Sequence, residues 1–577
     1  MAATTGARDL EAATKDVPKD VSGDDTAKDN WNVEFASGDK PWAQLTCLER
    51  MMVVFWIFFK VCVIVGSLYL FICSLSFLAS GFRLVAGREA GKVFQNNEVL
   101  GNPIAGMLMG VLVTVLVQSS STSTSIIITM VAAELLSVKQ AIALIMGANI
   151  GTSVTSTIVA LTQANERDEF RRAFAAATVH DMFNFLSVLV LLPLEAATQY
   201  LYRFSKAIID SQPGLTSGEK PPDILKKLTK PFTSEVIKVD KKVITAIAVA
   251  QEPEDIAALD GVRILKHIFG VSKDDISDGA AGAIILVFAL AILCVTLFVI
   301  VFTLKKLLKG RIAQWLHRSV NGHVPDIKCG GLTIPMAWLS GYLAMGTGLV
   351  VTILVQSSSI TTSALTPLVG VGVITVDRMY PTVLGANIGT CVTGVLAALA
   401  ADSAKLHLTL QVAYAHLLFN ISGIVLWYVV WPLRPVPINA AKFLGDTTAK
   451  YRWFALAYLL FAFFLIPAVF MAISLGSTAA TIVVAILCVL VAAATCLINY
   501  LQKKRPEWLP AKLRNWDFLP KWLTSLEPID RVFCAPLSAV FARTCACCPC
   551  LKSKKPSSPT FKPTASSAST TTSASTA

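Results

Sequence analysis

Long apolar runs alternate with short polar stretches over most of the chain. They lie at roughly 51–80, 99–117, 138–162, 173–200, 279–304, 332–355, 379–400, 407–433, 453–475 and 477–501. Several reach the about 20 residues that a helix needs to cross a bilayer, so the pattern predicts membrane-spanning helices. Two stretches depart from it. Residues 118–136 and 356–376 sit among the apolar runs yet begin with dense hydroxyl clusters. In lipid such clusters must be satisfied by protein, water or a ligand, which predicts broken or re-entrant helices at the midplane.

Composition agrees with the pattern. The 577 residues are 54% hydrophobic and 15% charged, where soluble domains carry about 25% charged residues. The mean hydropathy is +0.62. An ordinary cytosolic globular protein and a disordered chain are both excluded. The 13 cysteines are too few and too scattered for a disulfide scaffold. Residues 1–50 hold six basic and ten acidic residues, with no basic run leading into a short apolar one, so no signal peptide is expected there.

The net charge of +12 reads as membrane orientation rather than a nucleic-acid surface. Segment 305–331 carries Lys305, Lys306, Lys309, Arg311, Arg318 and Lys328 against Asp326 alone, and is expected inside. The span at 279–304 then puts residues 201–278, with 12 basic and 12 acidic residues, outside. Arg167, Arg171 and Arg172 place 165–172 inside, and Lys503, Lys504 and Arg505 open an inside tail. Both termini are therefore expected in the cytoplasm.

Self-similarity is the strongest signal. Gln118-Ser119-Ser120-Ser121 recurs as Gln356-Ser357-Ser358-Ser359, and Gly147-Ala-Asn-Ile-Gly-Thr152 recurs as Gly385-Ala-Asn-Ile-Gly-Thr390. Both motifs recur at one and the same offset, so the spacing between them is preserved without a gap. His180 and Asn184 match His416 and Asn420 at nearly that offset. This is an internal duplication. The Arg-rich 165–172 is expected inside while its counterpart 401–406 fits outside. The first repeat ends outside near 200, whereas Arg434, Lys442, Lys450 and Arg452 put the end of the second inside. The expected fold class is an all-α polytopic membrane protein with two inverted-topology repeats, which places a site at the repeat interface. A parallel duplication is the alternative. The chain divides into an N-terminal cytoplasmic segment (1–50), a membrane unit with the first repeat (51–200), an outer segment (201–278), a membrane unit with the second repeat (279–501) and a cytoplasmic tail (502–577).

Seven of the eight residues 118–125 and six of the seven residues 357–363 are Ser or Thr. Their oxygens ligate hard cations and their hydroxyl protons bind anions, while backbone N–H groups at broken helix starts favour anions. The same residues also allow close helix packing. Residues 99–138 contain one ionisable group, Glu134, and 339–376 contain none. An anion bound there finds no cation within these stretches, so co-bound metal cations are expected to offset its burial. Asp181 lies inside an apolar run, where an acid is functional by default, with a partner for His180 or a helix cap as the structural alternative. Asn149 and Asn387 offer further oxygens from the Gly-Ala-Asn-Ile-Gly-Thr copies.

These residues resemble the type II sodium-dependent phosphate cotransporters, closest to the electrogenic type IIa and IIb members. Both Gln-Ser-Ser-Ser copies carry the resemblance, with Glu169-Phe-Arg-Arg-Ala-Phe174, Thr178-Val-His-Asp181, Leu365-Thr-Pro367, Ala449-Lys-Tyr-Arg-Trp-Phe454, Asn515-Trp-Asp-Phe-Leu-Pro520, and in the outer segment Lys230-Pro-Phe-Thr233 and Asp240-Lys-Lys-Val243. The resemblance implies import of inorganic phosphate driven by sodium through alternating access, at the plasma membrane and apical in epithelia, with sodium co-transported and no organic cofactor. It implies that Gln118, Ser119, Ser120, Ser121, Gln356, Ser357, Ser358 and Ser359 contact phosphate and sodium. It places sodium ligands at Gln163, Asn184, Thr390 and Thr393. Ala175, Ala177 and Asp181 match the pattern of the electrogenic members, which implies transport of divalent phosphate with Asp181 helping to bind an extra sodium. Glu166 and Ala386 stand where relatives carry Asp and Ser. The outer segment lacks the cysteines and glycosylation sites of vertebrate members.

Cys545, Cys547, Cys548 and Cys550 beside basic residues are lipidation candidates, with metal binding through the Cys547/Cys550 spacing as the competitor. Ser575-Thr576-Ala577 is a candidate PDZ-type ligand. Rival readings are a sodium-coupled dicarboxylate symporter and a non-transporting receptor derived from a carrier. An intramembrane serine hydrolase is disfavoured, because adjacent His180 and Asp181 diverge on a helix.

Overall fold

The computed structural model describes residue 31 and residues 46–94, 101–211, 224–250, 253–269, 276–307, 321–322, 327–329, 332–334, 336–399, 405–510, 513–514 and 526. The candidate lipidation cysteines and the terminal PDZ-type sequence lie outside them. The described chain is almost all helix, and nine of its helices are long and apolar enough to cross a membrane.

The first half runs α1 (Cys47–Phe94), α2 (Pro103–Val117), α3 (Ser120–Ala132), α4 (Val138–Gly151), α5 (Val154–Leu161) and α6 (Arg167–Thr198). Local chemistry sets these boundaries. Asn102 caps α2, its Oδ1 accepting from Ile104 N at 3.0 Å, and Pro103 follows where a missing N–H costs nothing. α2 ends at Gln118, whose φ of 52° is left-handed and turns the chain. Ser119 is extended and caps α3 by accepting from Thr122 N at 3.2 Å. Ser137 and Gln140 form a capping box at the start of α4.

Residues 201–278, read from the sequence as an extracellular loop, hold regular elements. They fold as α7 (Tyr200–Asp210), α8 (Ile224–Val236), β1 (Ile237–Val239), α9 (Lys241–Val249), α10 (Pro253–Asp260) and β2 (Leu265–Ile268). The two strands pair antiparallel and bury Ile237, Leu265 and Ile268. Lys266 donates to Asp240 at 2.6 Å, and this bond holds the Asp240 carboxyl below its ordinary range.

The second half repeats the first: α11 (Asp278–Leu307), α12 (Ala337–Val355), α13 (Ser358–Val371), α14 (Val376–Leu399) and α15 (Leu406–Ile424), with α16 (Pro435–Lys450), α17 (Phe454–Leu460), α18 (Ile466–Gly476) and α19 (Thr478–Lys504) following. The apolar run at 332–355 splits on folding. Residues 332–334 pair with 327–329 as a short ribbon, and the helix starts at Ala337. The run at 453–475 passes through a π-helical turn at Phe461–Leu465, where Pro467 removes a backbone donor. From Val491 the chain forms a second compact unit, within which Gln502 Nε2 donates to Leu513 O at 2.8 Å.

The duplication is visible contact by contact. A β-carbon on Gly147 would overlap Met107 O, and one on Gly110 would overlap Leu144 O. Gly385 stands in the same relation to Met345 O, and Gly348 to Thr382 O, each at the offset of the sequence repeat. Gly151 lies against Val111 and Thr114, as Gly389 lies against Leu349 and Thr352. These contacts advance together along both helices, so α2 runs parallel to α4, and α12 to α14. α3 and α13 must therefore carry the chain back, making each Gln-Ser-Ser-Ser the tip of a helical hairpin. Large apolar side chains such as Phe58, Val287 and Phe298 are exposed along α1 and α11, as lipid-facing surfaces require.

Candidate anion site

Both hairpin tips open into one cavity of about 550 Å³. Gln118, Ser119 and Ser121 line it from the first tip, and Gln356, Ser357 and Ser359 from the second. Ser120 and Ser358, expected at the site, are buried and absent from its lining. Ser357 caps α13 as Ser119 caps α3, its hydroxyl accepting from Ile360 N at 3.3 Å. The cavity is thus bordered by two helix N-termini, whose unpaired N–H groups and dipoles favour an anion.

The two glutamines are not equivalent. Gln118 is built into the wall: its Oε1 accepts from Thr155 Oγ1 at 2.9 Å and its Nε2 donates to Val115 O at 2.5 Å. The Gln356 carboxamide has no hydrogen-bond partner among the described residues and faces the cavity. Ser121 is likewise open, while Ser359 Oγ reaches Thr152 O at 3.4 Å, from one repeat to the other.

The expectation that the anion finds no cation holds only for the hairpins. Arg83 of α1 and Lys230, Lys238 and Lys241 of segment 201–278 also line the cavity, and no described Asp or Glu does. Sequence reasoning missed these cations because they come from elements far from the motifs. The signal for Arg83 was its spacing: Ser76, Ser80 and Arg83 fall on one helical face that interrupts an apolar run.

The expected sodium ligands separate into groups. At the repeat interface, His180 Nε2 lies 2.7 Å from Asn387 Oδ1, and His416 Nε2 lies 3.2 Å from Asn149 Oδ1. Each repeat gives its histidine to the other repeat's asparagine, an exchange characteristic of two-fold-related units. Asn387 Nδ2 donates to Asn184 Oδ1 at 3.3 Å, and Asn184 Nδ2 to Asn149 O at 2.9 Å. The side-chain oxygens of Asn149, Asn184 and Asn387 are thus engaged in the clamp. Gln163 is different: it is buried and both its amide atoms lack partners among the described residues. Thr390 and Thr393 hydroxyls donate to Ala386 O and Thr390 O, and Thr393 also lines the cavity. Asp181 is fully buried, with Oδ2 accepting from Tyr458 at 2.8 Å and Oδ1 beside Ser153, whose hydroxyl lies 3.4 Å from His180 Nδ1.

The sequence pattern of the family described as Na+/Pi-cotransporter matches residues 70–205 and 336–431, the two repeats. The chain is 42% identical to sodium-dependent phosphate transport protein 2B of Homo sapiens over 568 residues, covering 90% of this chain and 80% of that protein. It is 47% identical to sodium-dependent phosphate transport protein 2A of Rattus norvegicus over 498 residues, covering 82% of this chain and 76% of that one. No solved structure matches the chain. A duplicated pair of hydroxyl-tipped hairpins, matched by family pattern and by long alignments alike, gives the assignment: the chain belongs to the Na+/Pi-cotransporter family.

Proposed function

We propose that this protein is a symporter that imports inorganic phosphate on the sodium gradient, by alternating access between two inverted repeats at the plasma membrane. The observation that carries the reading is the single cavity lined by both Gln-Ser-Ser-Ser tips, bordered by two helix N-termini and free of acidic side chains among the described residues. Gln356, Ser357, Ser359, Ser119 and Ser121 bind phosphate, and Gln118 positions the first tip. Competition by excess unlabelled succinate separates this reading from dicarboxylate transport: phosphate uptake is expected to be unaffected.

Parity supports the inverted arrangement. With both hairpins returning to the side they leave, α4–α5, α6, α11 and α14 cross in alternating directions, so α4–α5 and α14 run oppositely. The ion pairs agree. Glu134 and Lys405 meet on the side assigned outside, whereas Lys442 with Asp377 and Arg171 with Asp446 meet on the side assigned inside. The membrane units 51–200 and 279–501, the outer segment 201–278 and cytoplasmic 1–50 and 502–577 follow from the same assignment.

Sodium is assigned to Gln163, Thr390 and Thr393, and to Asp181 for the extra charge that makes transport of divalent phosphate electrogenic. A buried carboxylate needs a counter-charge, and the neutral Tyr458 hydroxyl does not supply one. Asp181→Gly is expected to abolish phosphate-evoked current while tracer uptake persists. Asp181→Asn, which retains an acceptor for Tyr458, is expected to do the same. Current of wild-type size in both variants would remove Asp181 from the sodium path.

A further inference from the structure

Arg83 is 6% exposed, lies in a membrane-spanning helix, and makes no hydrogen bond or ion pair among the described residues. Its Nε is fully buried and unpartnered. It is also the one buried cation lining the cavity that holds both Gln-Ser-Ser-Ser tips, the lysines of segment 201–278 being exposed. A buried guanidinium without a counter-charge is costly. Nothing nearby removes that cost: the cavity has no described acid, and Ser76 and Ser80 on the same face of α1 spend their hydroxyl protons on Ile72 O and Ser76 O.

We propose that the transported anion is the missing partner of Arg83, and that Arg83 is a substrate-binding residue that closes the site opposite the hairpin tips. The inference rests on the proposed function and adds to it a residue outside both repeated motifs. The division of labour is physical. The hairpin tips offer neutral donors, namely hydroxyls, a carboxamide and backbone N–H groups. Arg83 offers a fixed planar fork of donors and a full charge, which matches two oxygens of a tetrahedral oxyanion. Lys230, Lys238 and Lys241 then serve as an approach that raises the local anion concentration. Sodium neutralises what remains, so the cations of the cavity and the co-transported ions share one task.

The test is tracer phosphate uptake as a function of phosphate and of sodium concentration, normalised to surface protein, for wild type, Arg83→Gln and Arg83→Lys. Arg83→Gln is expected to raise the phosphate KM about tenfold or more at saturating sodium. Arg83→Lys, which keeps the charge and loses the fork, is expected to raise KM about threefold. A phosphate KM within twofold of wild type for Arg83→Gln at normal surface density would overturn the assignment. If Arg83→Gln does not reach the surface, Arg83→Lys decides: a raised KM supports the assignment and an unchanged one overturns it. A wild type without sodium-dependent phosphate uptake would instead overturn the proposed function, so the two failures are distinct.

Discussion

Gly385→Ala is expected to eliminate phosphate uptake, mainly by removing the protein from the cell surface. The β-carbon it adds would overlap Met345 O, a main-chain atom that cannot rotate away. α12 and α14 would have to separate along their whole parallel crossing. Overpacking in a close-packed interior costs about 1–3 kcal/mol, toward the upper end where backbone must move. The effect reaches the site because α12 ends at Gln356, so any shift of the crossing displaces the second hairpin tip. Gly147→Ala is expected to do the same to the first tip through Met107 O. Gly346→Ala is the control. It lies in the same helix, a β-carbon there meets nothing within 4 Å, and alanine is the better helix former. Surface labelling and uptake measured on the three variants check the argument. Normal uptake by Gly385→Ala would show that the helices do not cross as closely as described.

The second large effect separates two residues that the repeat makes identical in sequence. Gln356→Ala is expected to raise the phosphate KM about tenfold with near-normal surface protein, since its carboxamide lines the cavity and makes no hydrogen bond to a described residue. Gln118→Ala is expected to lower the amount of folded protein. It leaves the buried Thr155 hydroxyl without its acceptor and frees Val115 O, and an orphaned buried polar group costs about 1–3 kcal/mol. Concentration-dependent uptake and surface biotinylation, measured together, resolve the two. Equal KM shifts for both variants would mean that Gln118 leaves its wall contacts to bind substrate.

Much of this was legible in the chain itself. The apolar runs, the duplication and the hydroxyl clusters each correspond to an element, because bilayer length and backbone satisfaction leave few alternatives to a helix. The hairpin tips were legible as a pair, since two in-register copies at one offset imply equivalent places. Their left-handed turns at Gln118 and Gln356 were not, because glutamine carries no turn signal comparable to glycine. Nor was the difference between those glutamines, which depends on Thr155 having no equivalent contact in the second repeat. The clamp of His180 with Asn387 and His416 with Asn149 joins positions far apart in the chain, and only the two-fold exchange brings them together. The cations were hidden for the same reason. The hairpins carry no cation, while α1 and segment 201–278 deliver four to the same cavity.

Tracer phosphate uptake in sodium buffer against choline buffer, for wild type and for Ser119→Ala, Ser357→Ala and the double variant, shows whether both tips serve one sodium-driven site. One sodium-driven site shared by both tips predicts that uptake collapses in choline, and that each single variant lowers uptake in sodium. It also predicts that the two effects combine non-additively, as neighbours around one ligand do. Uptake that persists unchanged in choline, or that is insensitive to one of the two tips, would contradict it.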